Sequence, residues 1–388
     1  MSDQNAINQI RVMRIIARMN IGGPAVQVSG LMKGMNNLEF DQRLYTGFCA
    51  TDEADYLETV EMGVKALRIE GLGRRLSFSG DIRAFLNLVR EIQKFKPHII
   101  HTHTAKAGFL GRIASILSLH SSIRVHTFHG HLLNGYFGVF KKTLLILTER
   151  SLAYFTNQLL AVGDRVRQDL LEAGVGSIDK FALMPPGLAI SALPSKAQSQ
   201  KSFGVDQEKL HCSFIGRVTQ IKRPDRFLDV VKEIKKRNIN LNFFIAGDGE
   251  LLEKCRARIN VENLPVVPLG WRGDIENVLS VSDIIILTSD NEGTPLSLIQ
   301  AGMAGLPVVS TNVGSVPEVI LDGLTGILTG FDVEEIADAL EKLVNEKALR
   351  NSMGDAAKEF TLANFGVQRL VNDHEELYRN LIASRANS

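Results

Sequence analysis

Residues 283–310 leave the chain little freedom in how it folds. Residues 283–288 (DIIILT) are a short isoleucine-rich run without polar alternation, the pattern of a strand buried on both faces in the middle of a parallel sheet. A polar loop follows, after which Thr294 stands as a helix N-cap and Pro295 as the first helical residue, where a missing N–H costs nothing. The spacing predicts a helix to about Ala304, ended by Gly305-Leu306-Pro307 ahead of a further strand at 307–310. A helix start at the carboxyl end of a parallel strand leaves the N–H groups of Leu296 and Ser297 unpaired. Such a place is a ready seat for an anion, most often a phosphate.

The same alternation of strand and helix runs along the whole chain. Strands are expected at 11–16, 42–47, 64–69, 97–103, 123–128, 158–162 and 181–184, with helices at 26–35, 81–94, 104–112 and 134–155. It restarts with strands at 211–215, 242–246 and 266–269 and helices at 224–237, 274–280 and 332–344 around the segment already described. At 388 residues the chain is too long for one ordinary core. Residues 191–202 (SALPSKAQSQKS) are small, polar and unperiodic and read as a linker. The expected domains are therefore 1–190 and 191–365. A long final helix at 364–382 has no strand after it, so 366–388 is expected to cross back onto the first domain. The fold class is α/β, two Rossmann-like doubly wound domains facing a central cleft.

Charge and cysteine content narrow the function classes. The net charge of +1 argues against a dedicated nucleic-acid binder. Bases exceed acids by six over residues 1–190 and acids exceed bases by five over the rest, which makes the first domain the side that would meet an anionic surface. Cys49, Cys212 and Cys255 are few and scattered, as in a reducing compartment. No apolar run reaches the ~20 residues that span a bilayer, and the start, MSDQNAINQIRVMRII, lacks a signal-peptide core. The expected location is cytoplasmic, with a peripheral contact at the inner face of the membrane through the first domain. Residues 134–155, with aromatics, Lys141-Lys142 and then an apolar face, fit a surface-lying helix or an ordinary sheet-covering one.

Several loops carry candidate chemistry. Gly22-Gly23, between strand and helix, lets backbone approach a ligand, but without the spacing of a dinucleotide fingerprint. Gly247-Asp248-Gly249 fails the same test, since Leu252 occupies the third glycine position. Six of the nine histidines lie between 101 and 131. Without nearby carboxylate or thiolate ligands they read as a polar lining of a cleft at the sheet's carboxyl edge, not as a metal site. Residues 216–224 (GRVTQIKRP) place Arg217 and Lys222 in a strand-to-helix loop that should open on the same cleft as the helix start after Thr294. Two cations and a helix N-terminus can stabilise a departing pyrophosphate as a metal does elsewhere. The chain also has no Asp-x-Asp pair to hold a divalent ion, so neither metal nor cofactor is expected.

Together these stretches resemble a known family. Residues 216–224 are similar to the G-R-x(4)-K-G/R motif, and 292–300 to the Glu-x7-Glu motif, of the retaining nucleotide-sugar glycosyltransferases of family 4, which have the two-domain GT-B fold. His129-Gly130 resembles that family's active-site histidine and Gly22-Gly23 its first phosphate loop. HTHTAKAGFLGR and HTFHGH are further similar to members that build bacterial surface polysaccharides and exopolysaccharides. The resemblance implies that Gly216, Arg217 and Lys222 hold the donor diphosphate, that Glu292 binds the sugar hydroxyls, and that position 300 meets the ribose. It implies that backbone at Gly22, Gly23, Gly293, Thr294, Pro295 and Leu296 completes the phosphate cradle. His129 is implied beside the anomeric carbon, and Trp271-Arg272 in a loop facing the nucleobase. His129, Glu292, Arg217 and Lys222 are thus the implied catalytic set.

One position departs from the motif: Gln300 stands where the second glutamate belongs. An amide must accept from one ribose hydroxyl and donate to the other, where a carboxylate accepts from both. The implied activity is transfer of a hexose, glucose or a related sugar, from a UDP-sugar to a glycan or polyprenyl-linked saccharide, with retention and without metal. Closure of the two domains on the donor is expected. A sugar-nucleotide 2-epimerase of the same fold and a non-catalytic nucleotide-sugar-binding regulator are the competing readings.

Overall fold

The protein's computed structural model describes residues 9–51, 53–60, 62–75, 77–130, 139–206 and 208–386, and the side chains of all of these except 139–141. The chain divides into two compact units, Met1–Leu188 with Val367–Ser388, and Ala189–Gly366.

In the first unit the strands are β1 (Ile10–Ile16), β2 (Phe40–Thr46), β3 (Ala66–Arg68), β4 (Ile99–His103), β5 (Ile123–Phe128), β6 (Gln158–Ala161) and β7 (Phe181–Leu183). They form one parallel sheet in the order β3-β2-β1-β4-β5-β6-β7. Neighbouring side chains on β1 point to opposite faces, and each face has its own core. Met13 and Ile15 pack with Tyr45, Leu88, Ile92 and Ile100. Val12 packs with Leu31, Phe40, Ile99, Val125, Leu160, Leu370, Val371 and Tyr378. The second face is covered by the helices Gly23–Gly34 and Val367–Ala386. A Cβ at Gly34 would lie 2.5 Å from Val371 Cγ2, so the two helices approach closely there.

The second unit repeats the plan with β8 (Leu210–Ile215), β9 (Leu241–Ala246), β10 (Val266–Gly270), β11 (Ile284–Leu287), β12 (Val308–Thr311) and β13 (Gly326–Thr329). Their order is β10-β9-β8-β11-β12-β13, again all parallel. Every residue of β11 is buried, as its apolar run demands. In both sheets the chain winds outward in two directions, from between β1 and β4 and from between β8 and β11. The loops that leave these strands at their carboxyl ends part there and open a crevice, the usual ligand position of such sheets.

Two expectations need correction, and a third can be followed only in part. Residues 191–202 are not wholly linker, because Lys196–Phe203 is a helix. Its start is fixed by a capping box, with the Ser195 side chain accepting from Gln198 N–H and the Gln198 side chain accepting from the Ser195 N–H. The final helix is not continuous from 364. Lys347–Phe365 ends in the second unit, Gly366 is extended, and Val367 N donates to Leu188 O at 3.0 Å as the next helix begins. The helix expected at 134–155 is seen as Val139–Tyr154, while His131 and the aromatics at 136–137 lie outside the described residues.

Candidate functional site

At the β8/β11 switch the loop after β8 is held by backbone. Gly216 N donates to Ala246 O (3.0 Å), Val218 N to Asp248 O (2.9 Å) and Leu251 N to Val218 O (3.1 Å). A Cβ on Gly247 would lie 1.8 Å from Gly216 O, so the glycine pair set aside as a failed fingerprint is what lets these two loops stack. The loop after β11 is joined to the first. Asp290 N donates to Ile221 O (2.9 Å), and the Thr288 hydroxyl donates to Lys222 O (3.2 Å) and Arg223 O (3.0 Å).

Lys222 Nζ donates to Glu292 Oε1 at 2.5 Å, and the Ser289 hydroxyl donates to the same oxygen at 2.5 Å. Glu292 is 8% exposed. Its own carbonyl accepts from Ser315 N (3.1 Å), and a Cβ at Gly314, whose φ is +52°, would lie 1.9 Å from that carbonyl oxygen. Glu292 is thus clamped by its backbone while its carboxylate faces one cation. The neighbouring arginines are otherwise engaged: Arg223 pairs with Asp225 and Asp290, and Arg226 with Asp290 and Thr288 O. Those carboxylates push the Arg223 guanidinium above its ordinary range, and Arg223 in turn lowers Asp225. Arg217 is exposed and has no side-chain partner among the described residues, so its guanidinium is available to a ligand.

The next helix is Leu296–Met303, with Pro295 as its N-cap. Thr294 and Pro295 therefore sit one position earlier relative to the helix than expected, because Pro295 is extended (φ −76°, ψ 103°). The first-turn N–H groups of Leu296 and Ser297 precede any intrahelical partner. Gln300 lies one turn after Leu296, half-buried, and its amide has no hydrogen-bond partner among the described residues. Trp271, after β10, is 51% exposed. Arg272 is committed to Asp274 through two bonds of 2.7 and 2.5 Å and lies over the Phe203 ring.

In the first unit, Gly22 is the N-cap of the helix Gly23–Gly34, which starts earlier than the expected 26 because Pro24 suits a first turn. The histidines do not line an open edge as a group. His101, His103 and His126 are buried to 1% exposure or less, whereas His129, just past β5, is only partly covered. His129 Nε2 and His103 Nδ1 share a hydrogen bond of 3.0 Å. Burial pushes His129 down to about 3 and His103 well below the ordinary imidazole range, so both are neutral near pH 7. Behind them, fully buried Arg14 donates to His101 Nδ1 (3.2 Å), Tyr378 Oη (2.9 Å), Gln42 Oε1 (3.2 Å) and Met35 Sδ (2.9 Å).

The second unit therefore brings together Gly216, Arg217, Lys222, Glu292, Gly293, Thr294, Pro295, Leu296 and Gln300 in the loops and helix start at one switch point, with Trp271 and Arg272 in the loop after β10. The first unit holds Gly22, Gly23 and His129 at the ends of β1 and β5. Ser289, Gly314 and Ser315 were not foreseen. Their signal was slight, a serine directly after a buried strand and a Gly-Ser before Pro317.

Two family models match the chain, "Glycosyl transferase 4-like domain" over residues 22–187 and "Glycosyl transferases group 1" over 195–360. The chain is 27% identical to the UDP-Gal:alpha-D-GlcNAc-diphosphoundecaprenol alpha-1,3-galactosyltransferase of Escherichia coli, over 85% of this chain and 87% of that one. It is 22% identical to the capsular polysaccharide biosynthesis glycosyltransferase CapM of Staphylococcus aureus, over 80% and 83%. The crystal structure of Anabaena HepE in complex with UDP-glucose superposes with a TM-score of 0.79 at 18% identity, covering 95% of this chain and 99% of that one. With its paired parallel sheets, its clamped Lys222–Glu292 loop and both halves matched in order, the chain belongs to the family 4 (group 1) glycosyltransferases and has the GT-B fold.

Proposed function

We propose that this protein transfers a hexose, with retention, from a UDP-sugar to a polyprenyl diphosphate-linked saccharide during polysaccharide assembly. The observation that carries the reading is the pairing of Lys222 with Glu292 in the loops that also carry the helix start at Leu296 and Arg217, which has no side-chain partner among the described residues. On this reading residues 189–366 bind the donor, and the first unit receives the acceptor. Arg217 and Lys222 hold the diphosphate, with backbone at Gly216, Gly293, Thr294, Pro295 and Leu296 around it, and Gly22-Gly23 is the first unit's own phosphate-loop candidate. Glu292 takes the sugar hydroxyls, Gln300 the ribose, and the loop at Trp271-Arg272 the uracil, with Arg272 contributing backbone because its side chain is tied to Asp274.

The bond from the anomeric carbon to the diphosphate oxygen breaks, and UDP departs with its charge met by Arg217 and Lys222. The acceptor oxygen bonds to that carbon on the face UDP has left. Its proton passes to the departing phosphate oxygen. No side chain is needed as nucleophile and no metal as counter-charge. The E. coli and S. aureus relatives support the polymer context, and the E. coli relative's name carries both a UDP-linked donor and a diphosphoundecaprenol acceptor.

The test is UDP release and product mass with UDP-galactose, UDP-glucose, UDP-N-acetylglucosamine and GDP-mannose, each with GlcNAc-diphosphoprenol acceptors. One UDP-hexose should be consumed with a gain of one hexose on the acceptor, and Arg217→Ala/Lys222→Ala should abolish it. Binding of donor without release under any pairing would favour the regulator, and recovery of an epimerised sugar would favour the epimerase.

A further inference from the structure

We propose that His103 is a positioning residue for His129: it donates from Nδ1 to His129 Nε2 and so fixes His129 as its Nδ1–H tautomer, a hydrogen-bond donor toward substrate and not a base. The part concerning substrate rests on His129 being a site residue; the tautomer itself does not.

The two rings are 3.0 Å apart at His103 Nδ1 and His129 Nε2, and both are neutral. One of these nitrogens carries hydrogen and the other a lone pair, and distance alone does not say which. The surroundings of His103 decide it. Its Nε2 is buried and has no hydrogen-bond partner among the described residues. If His129 were the donor, neutral His103 would carry its hydrogen on Nε2, leaving an orphaned N–H in the core. If His103 is the donor, Nε2 is a bare nitrogen.

The interior behind His103 favours the bare nitrogen. Arg14 is fully buried there, and among the described residues no carboxylate pairs with it; its charge is met by lone pairs of His101, Tyr378, Gln42 and Met35. His101 Nδ1 faces both Arg14 and the Tyr378 hydroxyl (2.6 Å), so its hydrogen is on Nε2, where it donates to Thr127 Oγ1 at 2.7 Å. His374, stacked 5.7 Å from His101, donates from Nδ1 to Leu370 O at 2.8 Å and also keeps a bare, buried Nε2. Around a buried cation the imidazoles thus present lone pairs, and an N–H on His103 Nε2 would be both unpaired and repelled. That disfavours the opposite tautomer pair by about tenfold or more.

His129 is then left with Nδ1–H as the ring group open to a ligand. It can hold a sugar hydroxyl or ring oxygen but cannot accept the acceptor's proton at that atom, in keeping with a proton that leaves on the phosphate.

Ring-15N-labelled histidine in the full chain, read by long-range 1H–15N correlation at pH 7.5, tests this directly, with the His129 signals identified by their loss in His129→Gln. The expected wild-type pattern is Nδ1–H. His103→Asn, whose amide nitrogen replaces Nδ1 as donor, should keep the pattern and hold kcat within about threefold. His103→Asp offers only acceptors, should turn His129 to Nε2–H, and should lower kcat by about tenfold or more with the donor KM little changed. An Nε2–H pattern in the wild-type protein overturns the proposal. If the pattern is as expected and flips in His103→Asp, yet neither that variant nor His129→Gln alters turnover, the placement of His129 at the reacting sugar is what falls.

Discussion

Replacing Lys222 by methionine separates what the Lys222–Glu292 pair does for the fold from what it does for the donor. The side chains are 14% and 9% exposed, so Lys222→Met strands a nearly buried carboxylate whose one remaining side-chain donor among the described residues is the Ser289 hydroxyl. Breaking one partner of such a pair costs about 3 kcal/mol. The second unit, Ala189–Gly366, is of a size at which each kcal/mol moves the midpoint by about 2–4 °C, so its calorimetric transition should fall by about 6–12 °C. Adding Glu292→Gln removes the stranded charge while leaving an oxygen for Ser289, and should restore the midpoint to within about 3 °C of wild type. Turnover should not return: kcat/KM should stay down by about a hundredfold or more in both single and double variants. An unchanged midpoint in Lys222→Met would mean that the two groups are not coupled in solution. A double variant with near wild-type turnover would refute their role at the donor.

Acid should unfold the two units unequally. Burial holds His129 and His374 at about 3, so the unfolded chain binds protons that the folded one refuses; the stability is intact above about pH 6.5 and is lost as pH falls toward 3. At pH 5.5 each such histidine costs about 1.4 kcal/mol, and His101, His103 and His126 are shifted the same way. The second unit contains only His211, so calorimetry from pH 7.5 to 5.5 should show the first unit's transition falling further, and equal falls would contradict this. Gln300→Glu should change donor affinity, measured by titration calorimetry, by less than about tenfold, the scale of one hydrogen-bond difference at the ribose; a loss above a hundredfold would disprove the ribose assignment. Phe78, Ile82 and Leu86, at 86%, 44% and 58% exposure, form a stripe on the helix Phe78–Phe95 just after exposed Arg74 and Arg75. If this stripe meets an anionic lipid surface, co-sedimentation with anionic vesicles at low salt should drop at least about threefold in Phe78→Asp/Leu86→Asp, and no change would rule the stripe out as such a surface.

What could be read in the sequence was what short-range pattern controls. β11 and β12 announce themselves as unbroken apolar runs, and the loop after β8 as a glycine followed by cations ahead of Pro224. Local chemistry misled where two rules competed. Lys196–Phe203 has a linker's composition, and its helix depends on the reciprocal bonds of Ser195 and Gln198, which outweigh weak propensity. Pro295 could be N-cap or first helical residue on sequence grounds, and its ψ decides. Long-range partnership was not legible at all. Nothing near Arg14 or His101 in the chain points to Tyr378, and nothing near Glu292 points to the backbone of Gly314. The single motif departure, Gln300, was readable because it needs only a position, whereas its lack of a partner needs the fold.

The helix Val367–Ala386 shares a core with β1 and β4, and this sets the order in which the molecule can be finished. Arg14 and Tyr378 are 364 residues apart. At translation speeds of about 5–20 residues per second, the arginine waits on the order of tens of seconds for its hydroxyl. During that interval the sheet face bearing Val12, Phe40 and Ile99 is covered by the helix Gly23–Gly34 alone. The half of the protein that is begun second is therefore the half that is completed first, and a nascent chain stalled before residue 367 would offer chaperones a half-covered apolar surface around a cation that lacks its Tyr378 partner.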